Sequence, residues 1–328
     1  MTDPGIEDMP LDTSRDQLYF NEGAFAYAGY HRHARVQPLH THSFMEVAFI
    51  IGGAGVHQSL AGPQQLTAGD AILLRPGVWH GYHDCTDLEL YNCCFSSELL
   101  RRELMWTRED PLLGYLLWTG PYLGQGYGML TMHLAADTLA ECRSHLTALA
   151  SLWHEPPSTH RGDIIGRLAL LLSQLGRTVA GTSTHRPPGA GLAHPAVSQA
   201  MQLLEDDPAH RWTLPELADQ LHLAPGYLVR VFKSGTGLPP MAYLARLRAE
   251  TAATLLLHTD QPVTAIGRAV GWPDQNYFAR RFKAHYGLSA TTYRARFAAH
   301  AAQLEPRLNL WPGEPDTAGH GHNLTHSR

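Results

Sequence analysis

Apolar and polar residues alternate in short runs from about Leu18 to Phe95, and the clearest runs end at glycine or proline. Val47-Ala48-Phe49-Ile50-Ile51 stops at Gly52-Gly53, and Ala71-Ile72-Leu73-Leu74 stops near Pro76-Gly77. Short strands at near-regular turn spacing predict a β-sandwich or barrel. From Ser97 the period becomes helical. Ile164, Leu168, Leu171 and Leu175 recur at 4-3-4 spacing, with Ile165 and Leu172 beside them, and make one aliphatic seam. Two partners suit that seam equally, the chain's own barrel or a second copy of the chain. Gly181 to Gly191 is rich in glycine, proline and small polar residues and reads as a linker. Its apolar content is too low to transmit a packing defect directly. A helical region follows from about His194 to Phe297. The stretch from His300 has little apolar content and is expected to be disordered. Its His320, His322 and His326 read as part of an unstructured tail.

Within the second helical region the pattern repeats at fifty residues. Tyr227-Leu228-Val229-Arg230-Val231-Phe232-Lys233 precedes Gly237-Leu238, and Tyr277-Phe278-Ala279-Arg280-Arg281-Phe282-Lys283 precedes Gly287-Leu288. A shorter helical run and a turn stand before each, Pro215 to Leu221 and Thr264 to Val270. This is helix-turn-helix twice. Leu228, Val231 and Phe232 at i, i+3, i+4 predict the buried face of the first second-helix, and Phe278 and Phe282 that of the other. The opposite faces carry Gly226, Val229, Arg230 and Lys233, and Gln275, Asn276, Ala279, Arg280 and Lys283. Arginine can pair with guanine edges, and Gln or Asn with adenine. Asp274 stands at the expected N-cap, which places Gln275 and Asn276 in the first turn, where recognition helices usually reach bases. Between the units, Met241 to Leu257 predicts one long amphipathic helix that fixes their separation.

Composition changes this picture little and charge refines it. The 328 residues are 44% apolar and 17% charged, ordinary for a soluble protein of two domains. No apolar run approaches the ~18 residues of a membrane span. Met1 to Asp12 is acidic and lacks a basic-then-apolar signal, so a cytoplasmic location is expected. The net charge of −5 divides unevenly. Residues 193–300 hold 11 Lys and Arg against 8 Asp and Glu, and the remainder holds 14 against 22. An acidic sensor half and a mildly basic binding half fit that split. Cys85, Cys93, Cys94 and Cys142 show no metal-type spacing and read as buried thiols.

The helical motifs resemble the AraC-type family of bacterial transcription regulators over the whole C-terminal domain. The matching residues are Tyr227-Leu228-x-Arg230-x-Phe232-Lys233, Thr236-Gly237, Tyr243-Leu244-x-x-Leu247-Arg248 and Ala253-x-x-Leu256-Leu257, followed by Val270-Gly271-Trp272, Tyr277-Phe278-x-Arg280-x-Phe282-Lys283, and Gly287-x-Ser289 with Tyr293-Arg294. The resemblance implies recognition helices at about 224–233 and 274–283, with base contacts at Gly226, Val229 and Arg230 and at Gln275, Asn276 and Arg280. Ala224 replaces a usual serine cap, Gly226 offers no side chain, Gly267 stands where alanine is common, and Ala290 replaces a common proline. The first helix is therefore expected to carry less sequence information.

His40-x-His42-x-x-x-Glu46, followed by Gly69-Asp70 and Pro76-Gly77-Val78-Trp79-His80, is similar to the two motifs of the cupin barrel over about residues 20–95. Positions two apart on one strand share a face, so His40, His42 and Glu46 are expected to point inward together. The resemblance implies His80 as the fourth member of a metal-type set, here a divalent transition metal, although sensor barrels of this kind also use such residues for effectors without metal. Arg35, His40, His42, Glu46, Trp79, His80 and Tyr82 are the expected effector residues, and a carbohydrate is the effector class that the family suggests.

The expected architecture is multidomain, a cupin-like β-barrel with helices followed by an all-α double helix-turn-helix domain. The boundaries read 1–96 for the barrel and its N-terminal arm, 97–180 for a helical dimerisation segment, and 181–192 for the linker. The DNA-binding domain then takes 193–299 and the tail 300–328. The expected function is an effector-responsive transcription regulator, not an enzyme, activating catabolic genes as a homodimer with operator DNA and RNA polymerase as partners. No cofactor is required on this reading. The alternative is a metal-dependent cupin enzyme or metal sensor fused to a DNA-binding domain.

Overall fold

A computed structural model describes residues 26–122, 126–152, 157–181 and 194–298. The expected N-terminal arm, nearly all of the linker, and the tail with its three histidines lie outside the described residues. Seven strands form one antiparallel sheet: β1 (Ala26–His33), β2 (Gln37–His40), β3 (Met45–Ser59), β4 (Gly62–Leu66), β5 (Asp70–Leu74), β6 (His80–Phe95) and β7 (Met129–His133). The path runs β1-β6-β3-β5-β7, with β2 on β6 and β4 on β3. The long strands β3 and β6 pair along most of their length, from Met45 opposite Phe95 to Ser59 opposite His80. Their register shifts between Ile50 and Val56, where Gly53 takes φ 68°. A side chain at Gly53 would strike the Asp87 carbonyl, so glycine permits the bulge.

Strand β7 corrects the expectation of an all-helical segment over 97–180. Met129-Leu130-Thr131-Met132-His133 pairs with β5 from Asp70 to Leu74. A five-residue segment with three apolar positions is too short for its period to separate a strand from a helical turn. Around it lie α1 (Ser97–Arg101), α2 (Pro111–Gly114), α3 (Ala136–Ser151) and α4 (Pro157–Gly181). A π-helical turn, Tyr115–Thr119, continues α2.

The C-terminal domain holds α5 (Pro195–Asp206), α6 (Leu214–Gln220), α7 (Pro225–Thr236), α8 (Pro240–His258), α9 (Val263–Ala269), α10 (Gln275–Tyr286) and α11 (Ala290–Phe297). Local chemistry explains the helix ends. Thr213 and Glu216 form a reciprocal capping box at α6, and the Asp274 carboxylate accepts from the Tyr277 amide at α10. Gly237 and Gly287 close α7 and α10 at the same φ of 75°, the left-handed cap that glycine adopts without strain. Helix α8 is not simply amphipathic, because Arg246, Arg248 and Glu250 are buried along with its aliphatic residues.

The aliphatic seam has an in-chain partner. Leu168, Leu171, Leu172 and Leu175 are fully buried within one chain, in a core shared with Met45, Val47, Phe49 and Leu73 of the sheet. The helix therefore packs within its own chain, against α3, α2 with its π-helical continuation, and β7, so the seam itself is not free for a second copy. Leu171→Ala should cost about 2–5 kcal/mol in urea unfolding, the range for a buried Leu truncated in a core. Leu171→Glu should give no folded protein in sedimentation. A folded monomer released from a native dimer would contradict this packing.

Candidate DNA interface and sensor site

Helices α7 and α10 present the expected faces. Leu228 and Phe232 are buried with Val231 half-buried, and Phe278 and Phe282 are buried. Gly226, Arg230 and Lys233 are exposed with Val229 half-buried, and Gln275, Asn276, Arg280 and Lys283 are all exposed. Each unit thus rests on an aromatic core and offers a polar, cationic face, as a major-groove helix requires. Arg230 lies over the Tyr227 ring at 5.1 Å, which orients it along the helix surface. Ala224 caps α7 with no side-chain hydrogen bond, whereas Asp274 caps α10, so the second helix starts from the more firmly fixed first turn.

Inside the sheet domain, His42, Glu46 and His80 converge. Glu46 lies 3.4 Å from His42 Nε2 through one carboxylate oxygen and 3.7 Å from His80 Nε2 through the other. One potential ligand atom from each of the three falls within 4.8 Å of the others. The convergence does not come from one strand. His40 ends β2, residues 41–44 are a turn, and Glu46 belongs to β3. The His40 ring lies tilted against that of His80, with centroids 4.2 Å apart, while its Nδ1 bonds the Pro38 carbonyl. Tyr82 is buried and its hydroxyl has no hydrogen-bond partner. Arg35 is exposed in the turn between β1 and β2, and Trp79 donates its indole N–H to the Tyr286 carbonyl. Neither belongs to the buried cluster.

One member escaped the sequence reading. His57 is fully buried, its ring centroid lies 5.7 Å from His80 and 5.4 Å from Tyr82, and neither ring nitrogen has a hydrogen-bond partner. The odd-numbered His57 joins the even-numbered Glu46 because the β3 bulge resets the inward parity. No motif marks it. Burial drives His57 well down and, with the nearby His80, takes His40 to about 3. Burial alone would raise Glu46, but His80 and His42 hold it well below the usual carboxylate range. A buried carboxylate among imidazoles needs one compensating cation, either a shared proton or a metal ion.

The loops that carry this cluster also dock the DNA-binding domain. The Thr41 and Tyr293 hydroxyls lie 3.1 Å apart, and Ser43 Oγ lies 2.8 Å from His258 Nε2. Tyr293 donates to the Gly77 carbonyl at 2.9 Å and Tyr286 to the Pro76 carbonyl at 3.2 Å. The Gly77 amide in turn donates to the His42 carbonyl at 2.8 Å, tying the two loops together. Gly77 has φ 81°, and an added Cβ would lie 2.5 Å from the Tyr286 hydroxyl. Beneath these contacts is a buried ion pair. Arg75 donates from Nε and Nη2 to the two Glu250 oxygens at 2.8 and 3.0 Å, and from Nη1 to the Leu117 carbonyl at 2.6 Å. Tyr122 donates to Glu250, and Arg246 Nη1 donates to the Trp118 carbonyl at 2.7 Å. The π-helical turn supplies both of those carbonyls. Arg108 pairs with Glu205, whose other oxygen accepts from Tyr243.

Two family models match this chain. The AraC-like ligand binding domain covers residues 23–172 and the helix-turn-helix domain residues 217–296. The chain belongs to the AraC-type family. Similar proteins include the HTH-type transcriptional activator RhaR of Yersinia pseudotuberculosis, 26% identical over 79% of this chain and 84% of that protein. RhaR of Enterobacter sp. is 23% identical over 88% of this chain and 98% of that protein. In solved structures, the regulator shares its fold with ToxT from Vibrio cholerae, with a TM-score of 0.50 and 12% identity over 84% of this chain and all of that one. The regulator is thus a DNA-binding transcription regulator. Its relatives are transcriptional regulators, which are not enzymes. Among the described residues no helix is long and apolar enough to cross a membrane.

The linker alone predicts independent domains, but the buried ion pair joins them. Burial would raise Glu250, but the charge and hydrogen bonds of Arg75 outweigh it and hold the carboxyl at about 2. Glu250→Gln leaves the Arg75 guanidinium buried without a counter-charge and should cost about 3–5 kcal/mol. Because the folded value is depressed, the contribution is full above the ordinary glutamate value of about 4.3. It is lost as pH falls from there toward about 2. Denaturant unfolding from pH 7 downward should show the wild-type advantage over Glu250→Gln constant at first, then shrinking in acid. An advantage that grows in acid would refute the pairing.

Proposed function

We propose that this chain is an effector-responsive activator in which the buried cluster of His40, His42, Glu46, His57, His80 and Tyr82 takes a small polar ligand and reports it to the second helix-turn-helix unit. The observation that carries the reading is shared hardware. The turns at 40–44 and 76–80 hold His42 and His80 and also hydrogen-bond to Tyr286, Tyr293 and His258. A ligand reaching His42 and His80 must displace those turns, and so changes how α10 and α11 are held. It can shift the arrangement only by its differential affinity for the docked and released states. Imidazoles, a carboxylate and the Tyr82 ring are suited to the hydroxyls and faces of a carbohydrate. The relatives' description as transcriptional activators supports activation. On this reading α7 and α10 of a homodimer bind operator DNA and RNA polymerase is recruited in the cytoplasm.

A metal-dependent form of the same site is favoured by one observation. Glu46 Oε1 and His80 Nε2 are buried without a hydrogen-bond partner, and His42 completes a set of three donors. Imidazole and carboxylate donors suit zinc, iron, copper or nickel. His42, Glu46 and His80 would hold the ion, which would supply a fixed Lewis-acidic anchor for an effector's oxygen atoms. Elemental analysis of protein purified without added metal should then find about one ion per chain, lost in His80→Ala. Absence of metal from wild type that still responds to effector would remove this form and leave the metal-free one.

Gel-shift titrations test the DNA half. Arg280→Ala should weaken operator binding by about 1–3 kcal/mol and relax preference at one base position. Lys283→Ala should weaken operator and scrambled DNA alike and reduce the salt slope. Unchanged operator affinity in Arg280→Ala would sink the assignment. Reporter induction tests the sensor half. His42→Ala and His80→Ala should abolish the response, and full inducibility in both would place the effector elsewhere.

A further inference from the structure

A second polar site lies outside the barrel, at the back of α10. A cavity of about 180 Å³ opens where α8, α10, the segment after α7 and the sensor domain meet. Leu238, Ala242 and Ala245 form its apolar wall, and Arg246, Arg281 and His285 its polar one. Among the described residues no acidic one lines it. For comparison, an engineered apolar cavity of ~150 Å³ admits benzene.

Arg246 makes this cavity more than a packing gap. Its side chain is 3% exposed and is held between the Tyr122 and Tyr243 rings, 4.2 and 4.3 Å from their centroids. Nη1 is used on the Trp118 carbonyl, but Nε and Nη2 have no hydrogen-bond partner. Glu250 is the nearest carboxylate, and its Oε1 stands 3.9 Å from Arg246 Nε. That oxygen already accepts from Arg75 and Tyr122, and Oε2 accepts from Arg75. Glu205 is likewise taken by Arg108 and Tyr243. Both of these carboxylates are therefore already hydrogen-bonded to other residues. The two rings and Glu250 offset part of the cost of burying this guanidinium, but among the described residues two of its donor nitrogens are left without a hydrogen bond.

We propose that this cavity binds a small organic carboxylate, its oxygens taken by Arg246 with Arg281 and its short apolar body laid against Leu238, Ala242 and Ala245. The acid-free lining selects an anion, and the apolar wall selects an organic one over inorganic phosphate. The site is separate from the barrel cluster and stands or falls without it. Arg281 and His285 belong to α10, the helix that carries Arg280, so an occupied cavity braces a recognition helix against the sensor domain. A metabolite acid could thus be sensed at the DNA-binding end of the molecule while the barrel reads another ligand.

Calorimetric titration of the full chain at constant ionic strength tests this with butyrate, its neutral isostere butyramide, and inorganic phosphate. Butyrate should bind saturably at one site, about tenfold or more tighter than butyramide, because charge-assisted hydrogen bonds are lost with the carboxylate. Phosphate should bind more weakly than butyrate. Ala242→Leu fills the cavity and should lose butyrate binding by about tenfold or more while keeping the circular dichroism of wild type. Arg246→Gln should lose it too. If Arg246→Gln fails to fold, Ala242→Leu and Arg281→Ala decide. Equal binding of butyrate and butyramide would overturn the proposal, as would phosphate binding at least as tightly as butyrate. Undiminished butyrate binding by folded Ala242→Leu would overturn it as well.

Discussion

Between the end of β5 and the middle of α8, Arg75 and Glu250 face each other in a region sealed from water. Taking both charges out of solvent costs several kcal/mol each, and that cost is offset only when every donor and acceptor is used. Here the guanidinium spends Nε, Nη1 and Nη2 on Glu250 and the Leu117 carbonyl, and the carboxylate also accepts from Tyr122. A pair so fully satisfied tolerates one docking geometry and few others. The remaining contacts inherit that geometry. With Arg75 fixed, the turn at 76–80 falls on Tyr286 and Tyr293, and the carbonyl of its Gly77 is met at 2.9 Å. With Glu250 fixed, α8 presents Arg246 to the Trp118 carbonyl and to the small cavity behind α10.

On the proposed reading, this docking is the element that a ligand biases. Residues of the buried cluster and residues that dock the DNA-binding domain occupy the same two turns, which is why the proposal couples a ligand to the hold on the second helix-turn-helix unit. Exposure of Arg280, Asn276 and Lys283 in the docked form leaves the DNA-facing side of α10 free. The docked arrangement therefore does not cover the recognition face, and the proposed control would act on how the two units are held relative to each other. The first unit is bound differently, through Arg108 and Glu205 on α5, and its α7 lacks a side-chain N-cap. The two units thus differ in how firmly each is anchored.

How much of this was legible in the sequence depends on the range of the interaction. The fifty-residue repeat exposed both recognition helices, because the periodicity of Leu228 and Phe232, and of Phe278 and Phe282, is a local property. The Asp274 cap followed the same logic, and the glycines that recur in the repeat, Gly237 and Gly287, prove in the structure to be matching left-handed helix caps. His42, Glu46 and His80 were found through motif spacing, but their convergence runs through a turn and two strands instead of the single strand expected. His57 was hidden by the β3 bulge, which shifts parity in a way no alternation pattern records. Strand β7 was too short to be separated from the surrounding helices. The interdomain network was invisible for a plainer reason. Arg75 and Glu250 are 175 residues apart, and nothing in the local pattern of either residue says it is buried or names its partner. A linker poor in apolar residues suggested independence, whereas the domains meet through buried charge and a shared core.

Amide hydrogen exchange followed by mass spectrometry on the full chain, wild type against His80→Ala, reads the coupling between the sensor cluster and the DNA-binding domain most directly. Truncating His80 alters the 76–80 turn without touching α10 or α11. If the turns transmit the state of the cluster, exchange should rise in the peptides spanning Gln275–Tyr286 and Ala290–Phe297, while those spanning α5 to α7 stay as in wild type. Exchange that changes only within the sheet domain, with α10 and α11 unaltered, would contradict the account.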